Sequence, residues 1–225
     1  MITDLKPSDI VCSGVTANKY GGKAIYLNGP GRSRLMFQLP ALKAIVGLKE
    51  SELAPGTWNM PLSLDNEAVL KVFRDLENFT IDTIVANSAD LTGKKLTREL
   101  VVSGDSWKPF MKDSKKDGYA PILRMNPQVD KTTKKFITEA YNSKREPVPL
   151  ESLDKGQRVS CIIEISQIWK STMGYGLSIR LHQVMLAPSS KLAPCAFLPS
   201  SEPAPMEEDA NSVEEEEGTE YEESD

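Results

Sequence analysis

The chain has 225 residues, 40% of them hydrophobic, and a formal net charge of −5. That charge is unevenly placed: residues 202–225 carry twelve acids and no Lys or Arg, and taking those twelve from the 32 acids leaves 20 against 27 bases, a net of +7 for residues 1–201. A moderately basic body with an acidic tail excludes a uniformly acidic or a disordered chain, and a body of about 190 residues is long enough to bury one core.

In chain order, KAIYLN (23–28) and RLMFQL (34–39) flank Gly29-Pro30-Gly31, which predicts a hairpin. A strand is expected over 58–64. Residues 66–79 (NEAVLKVFRDLENF) place Val69, Leu70, Phe73, Leu76 and Phe79 at helical spacing, with Asp65 as N-cap and 81–86 as a continuation. A strand over 122–125 follows a basic loop, and a second, shorter helix is read over 134–141. The clearest pair is 158–169 with 177–186, separated by KSTMGYG; in the second, Leu177, Ile179 and Leu181 alternate with Ser178, Arg180 and His182. Many strands with one or two helices and no βαβ alternation predict a mainly β small barrel or sandwich. From Ala187 to 205 the chain holds five prolines and four serines, a composition that stays extended. The residues beyond it have too little apolar area to offset ordering entropy. The expected organisation is a domain over 1–187, a Pro/Ser-rich linker over 188–206 and a disordered acidic tail over 207–225.

Signals for chemistry are sparse. Cys12, Cys161 and Cys195 are odd in number and include no CxxC pair, so neither a disulfide framework nor a zinc site is expected, and reduced thiols suit an intracellular compartment. The opening MITDLKPSDIV has no apolar run of signal-peptide length, and no stretch approaches the roughly 20 residues that cross a bilayer. A soluble protein with no membrane contact is expected. His182 is the single histidine and sits in an alternating strand, no catalytic motif is present, and Gly29-Pro30-Gly31 lacks the third glycine of a dinucleotide loop. The tail carboxylates offer no fixed coordination geometry. No enzyme, cofactor or metal is expected.

The pairing of cations with rings says more. Residues 107–124 (WKPFMKDSKKDGYAPILR) gather Lys108, Lys112, Lys115, Lys116 and Arg124 with Trp107, Phe110 and Tyr119, against two acids, Asp113 and Asp117. Lys19, Tyr20 and Lys23 form a smaller group, as do Trp169 and Lys170 with Tyr175 across the turn; Arg32 and Arg34 lie at a turn, where side chains reach solvent. Single-stranded nucleic acid exposes a charged backbone and unstacked bases, which such segments hold by charge and by ring faces. Each ring also has a core reading, favoured for Trp58, Phe37, Phe73 and Phe136, and both readings stand for Trp107, Phe110 and Tyr119.

The segments WKPFMKDSKKDGYAPILRMN and KFITEAYNSKREPVPLESLDKGQRVSCIIEISQIWKSTMGYGLSIRLHQVML resemble the single-stranded DNA-binding proteins of large nucleocytoplasmic DNA viruses, relatives of the acidic-tailed phage single-stranded DNA-binding proteins. The likeness rests on a Tyr-Ala-Pro basic strand (Tyr119 to Arg124), a Lys-Gly…Val strand opening (Lys155, Gly156, Val159), an Ile-Trp ending (Ile168, Trp169) and a Gly-Tyr-Gly turn into a Gln-Val strand (Gly174 to Gly176, Gln183, Val184). It covers roughly residues 100–187. The resemblance implies an OB-fold, a five-stranded Greek-key barrel whose open face binds oligonucleotides. It implies work in viral DNA replication, recombination and repair, in the host nucleus or a cytoplasmic viral factory. It also implies recruitment of a DNA polymerase or helicase by the tail (Glu214, Glu215, Glu216, Glu217, Tyr221), and it leaves a homodimer open. The phage relatives end their tails on an aromatic residue, whereas Tyr221 lies four residues short of the end. Two other readings stand beside it: an acidic-tailed chaperone or assembly factor for basic proteins, whose clients a +7 body would repel, and an RNA binder with the same surface chemistry.

Overall fold

A computed structural model describes residues 1–17, 21–52, 54–114 and 117–189. After two short 3₁₀ turns come β1 (Val11–Ala17), β2 (Lys23–Asn28), β3 (Leu35–Gln38), β4 (Leu42–Ala44), β5 (Lys49–Glu50) and β6 (Trp58–Ser63). Three helices follow, α1 (Glu67–Ala86), α2 (Ser88–Thr92) and α3 (Arg98–Ser103). The chain continues through β7 (Trp107–Lys108), β8 (Met111–Lys112), β9 (Ile122–Met125) and β10 (Glu139–Tyr141), and closes on the long pair β11 (Arg158–Ser171) and β12 (Gly174–Leu186).

Five of these strands close a ring. β4 pairs antiparallel with β11 (Val159 opposite Leu42) and with β6 (Ala44 opposite Leu62). β6 pairs with β9 (Leu62 opposite Leu123), and just beyond β9 a parallel bridge joins Pro127 to Leu181 of β12. β12 returns to β11 along their whole length. Numbered one to five in chain order, the ring reads 1-2-3-5-4 with a parallel junction between the third and fifth strands. That is the connectivity of an OB-fold, as expected. The apolar alternation that specifies it is visible in the core: Leu42, Ala44, Met60, Leu62, Leu123, Met125, Val159, Ile163, Ile168, Leu181 and Val184 are all buried.

Several local expectations change. β2 and β3 do not pair with each other: both run antiparallel to β11, end to end, so Gly29 to Arg32 is a kink in one long path along that strand. The glycine-proline signal marks a change of direction rather than a hairpin. α1 runs to Ala86, as the continuation over 81–86 anticipated, but its cap is Asn66, whose Oδ1 accepts the Val69 N–H at 3.1 Å. Asp65 instead accepts from Arg158 at 2.9 Å. The helix expected over 134–141 is absent: Lys134 takes a positive φ of 59°, and Glu139–Tyr141 forms β10, parallel to β12. Thr138 accounts for the preference, since its buried hydroxyl donates to the Leu181 carbonyl at 3.0 Å and accepts the Gln128 N–H at 2.8 Å. Among the described residues, no helix is long and apolar enough to cross a membrane.

Candidate nucleic-acid interface

One face of the barrel carries three open clefts that share residues. The first, about 280 Å³, lies over Asn59, Pro61, Lys112, Ile122 and Arg124. The second, about 330 Å³, lies between Asn59, Lys108, Phe110, Arg124, Asn126, Trp169 and Ser178. The third, about 240 Å³, lies between Gly22, Lys23, Tyr26, Trp169, Lys170 and Thr172. Asn59 and Arg124 belong to the first two and Trp169 to the last two, so the clefts form one track across β6, β9, β12 and β11 to β2.

Five cations line the track, and among the described residues no carboxylate does. The β8–β9 hairpin sets two of them, with Lys112 opposite Ile122 and Arg124 two residues on, its N–H bonded to the Phe110 carbonyl at 3.0 Å. Neither side chain has an ion-pair or hydrogen-bond partner among the described residues. Lys108 donates to the Asp105 carbonyl at 2.7 Å, Lys23 to the Asp90 carbonyl at 2.5 Å, and Lys170 to the Ser171 carbonyl. A neutral carbonyl fixes an ammonium without cancelling its charge. The nearby acid Asp113 is held by Arg74 of α1, which also bonds Glu77 at 3.2 Å, so its charge is balanced outside the track.

The rings divide sharply. Trp169 is half-buried, paired across the strands with Gly176, and it stands between the second and third clefts. A β-carbon at Gly176 would meet the Lys108 carbonyl at 2.8 Å and the indole at 3.0 Å, so glycine lets both β7 and the ring come close to β12. Gly174 has the same kind of role: its φ is 142°, and a β-carbon there would sit 2.2 Å from the Ser106 carbonyl. Gly-Tyr-Gly is therefore not the turn it was expected to be. It lies inside β12, where β7 and Trp169 approach too closely for a side chain, and the turn itself is Thr172 and Met173.

Tyr175, between those glycines, is only 4% exposed, its hydroxyl bonded to the Val101 carbonyl at 3.3 Å; burial pushes its phenol pKa up. Phe110 is 7% exposed and packs on Phe73 of α1 at 6.0 Å between ring centroids. Both were expected on the binding surface, and both are core rings whose apolar area holds the helix and β12 in place. Phe110 reaches the second cleft only as part of its floor. Trp107 is half-buried, 6.3 Å from Tyr175 and tilted 36° to it, and lines none of the three clefts. Tyr119, 69% exposed, stands in the loop between β8 and β9.

Arg32 and Arg34 are exposed, as expected, but line none of the three clefts. Lys19, Tyr20, Lys115, Lys116 and the tail residues Glu214, Glu215, Glu216, Glu217 and Tyr221 lie outside the described residues. Asn59, Asn126 and Ser178 were missed by sequence reasoning. Their outward positions on β6 and β12 and just past β9 were legible from strand alternation, but which outward face bears the track was not. His182 sits away from the track, with Nε2 2.8 Å from the buried Glu164 carboxylate.

No protein-family model matches this sequence, and no curated protein matches it. Among solved structures the chain is similar to gp2.5, a single-stranded DNA-binding protein encoded by bacteriophage T7, at 12% identity and a TM-score of 0.48, over 81% of this chain and 100% of that one. It is also similar to the single-stranded DNA-binding protein of bacteriophage Enc34. The C-terminally truncated form aligns at 12% identity and a TM-score of 0.46, over 83% of this chain and 99% of that one. The form in complex with ssDNA aligns at 12% identity and a TM-score of 0.46, over 81% and 97%.

Proposed function

We propose that the protein binds single-stranded DNA, without dependence on base sequence, along the track from Lys112 to Lys23. The observation that carries this reading is the continuity of the three clefts, with five cations, the Trp169 ring between two of them and no carboxylate among the described residues. Cations spaced along a groove follow a phosphate backbone, and a ring face accepts any base. The track is open and shallow, which suits an unpaired strand whose bases can turn inward.

In this reading the protein covers displaced strands during DNA replication, recombination and repair, the setting that the sequence resemblance to viral single-stranded DNA-binding proteins suggests. The acidic tail acts as a tethered competitor. Its twelve carboxylates follow a proline-rich stretch long enough to reach the groove, at an effective concentration in the millimolar range. DNA displaces it, and the released tail becomes available to a polymerase or helicase.

The test is a fluorescence titration of the purified protein with dT oligomers, with duplex DNA, with an RNA oligomer of the same length and with a core histone. Tighter binding to dT than to duplex, weakening steeply with salt, is the expected result. Preference for duplex or for histone, or binding indifferent to salt, overturns the reading.

A further inference from the structure

We propose that Met173, at the tip of the β11–β12 hairpin, is an apolar wedge that enters the base stack of the bound strand at the end of the track. The proposal rests on the reading of the track as a single-strand groove and adds a named element to it.

Met173 is 81% exposed, the most exposed large hydrophobic side chain among the described residues. It does not hang from a loose loop. Its N–H donates to the Ser171 hydroxyl at 3.2 Å, the Tyr175 N–H donates to the Ser106 carbonyl at 2.9 Å, and Gly174 lies so close to that carbonyl that no β-carbon fits. The two-residue turn is thus pressed against the chain leading into β7, and the thioether is held out into water by a fixed backbone. Such a placement costs exposure of apolar area with no return in the isolated molecule.

The surroundings say what kind of surface covers it. Trp169, Lys170 and Thr172, within four residues of it on the same hairpin, line the third cleft, and the Lys108 side chain passes 3.3 Å from where a Gly174 β-carbon would stand. The occupant must therefore offer an apolar flat surface and negative charge within the span of one turn. Stacked bases on a phosphate backbone offer both, and the tip is continuous with the track that the strand would follow. A run of carboxylates without rings offers the charge alone. Methionine suits the role because its side chain is unbranched, polarisable and thin enough to slip between neighbouring bases, and apolar side chains used in this way unstack the step they enter.

The experiment compares wild type, Met173→Ala and Met173→Leu as full-length proteins. Each is titrated with a dT oligomer and with an oligomer carrying 2-aminopurine between adenines, a base that brightens when it unstacks. Wild type and Met173→Leu should brighten the probe on binding. Met173→Ala should lose most of the brightening and bind about tenfold more weakly, the loss expected when roughly half of a methionine side chain no longer becomes buried. Equal brightening and equal affinity for Met173→Ala overturn the wedge. Weaker binding with unchanged brightening assigns the contact to something other than the bases and overturns it too. Absence of dT binding by the wild type overturns the groove reading, and the wedge with it.

Discussion

The track makes a quantitative statement about salt. Single strands shed counterions for each phosphate neutralised, so five cations set a slope of log affinity against log salt near about −3.5. Raising salt from about 50 to about 200 mM should then weaken binding by roughly 130-fold. Arg124→Ala removes one cation from the residue shared by two clefts. The slope should fall to about −2.8 and the loss over the same interval to roughly 50-fold. Arg124 is exposed, and its structural contacts, the N–H to the Phe110 carbonyl at 3.0 Å and the pairing with Pro61 of β6, belong to the backbone, so the variant should keep its fold. Arg145→Ala is the matched control, since that guanidinium is also exposed but lies beside Tyr141 and Gln183, outside the track. The assay is fluorescence titration with dT oligomers at several salt concentrations. The three proteins are compared in the form lacking residues 202–225, because the tail is proposed to occupy the same cations and its own salt dependence would change with Arg124. An unchanged slope for Arg124→Ala, or an equal change for Arg145→Ala, refutes the placement of the strand.

Other outcomes follow from burial and charge. Trp169→Ala should cost roughly 1–3 kcal/mol of binding with little change in thermal stability, whereas Phe110→Ala should cost about 3–5 kcal/mol of folding stability; thermal melts beside titrations separate the two, and the reverse pattern would exchange their roles. Deleting residues 202–225 should tighten dT binding at low salt, and the gain should fade as the screening length shrinks to roughly 3 Å at 1 M salt; equal affinity of the two proteins at low salt leaves the tail a solubility element. Complete burial pushes the Cys161 thiol up to about 12, so it should resist alkylation at pH 8 in the folded protein and react once denatured; peptide mapping by mass spectrometry reads this, and rapid native labelling at Cys161 would contradict its burial.

Much of the barrel was legible because its signals are local. The alternation in β12 and the four-and-three spacing of Val69, Phe73 and Leu76 each report one buried face, and the structure buries those faces. What escaped depends on partners distant in sequence. Nothing near Pro30 reveals that β2 and β3 both lie on β11, more than 120 residues later. Nothing within 134–141 reveals that β12 offers a carbonyl to Thr138. The site divides in the same way. Lys108, Lys112 and Arg124, expected at the surface, do line the clefts, because cations on short strands beside a barrel opening have little choice but solvent. Phe110 and Tyr175 were misplaced because a ring flanked by Lys, Pro or Gly looks exposed, although Gly174 and Gly176 are there to let the backbone of β7 and the Trp169 indole come close.

The distribution of ion pairs bears on how a chain of net charge −5 can keep a groove lined by cations. Arg74 holds Asp113 and Glu77, Arg98 holds Asp82, Arg158 holds Asp65, Lys49 holds Glu52 and Lys71 reaches Asp75. All five of these cations lie outside the track, and so do the carboxylates they balance. The pairs are largely exposed and each adds little to stability. Their effect is on the field: they balance six of the body's 20 carboxylates locally, while Lys112 and Arg124 have no ion-pair partner among the described residues. Charge beyond about 8 Å is screened at physiological salt, so a phosphate entering the groove meets these cations and not the chain total. On the proposed reading the same screening would limit the tail, whose carboxylates would compete only while inside the groove, so its competition would be an occupancy set by effective concentration and salt. A purely repulsive tail acting from a distance would need a longer reach than about 8 Å, which physiological salt does not allow.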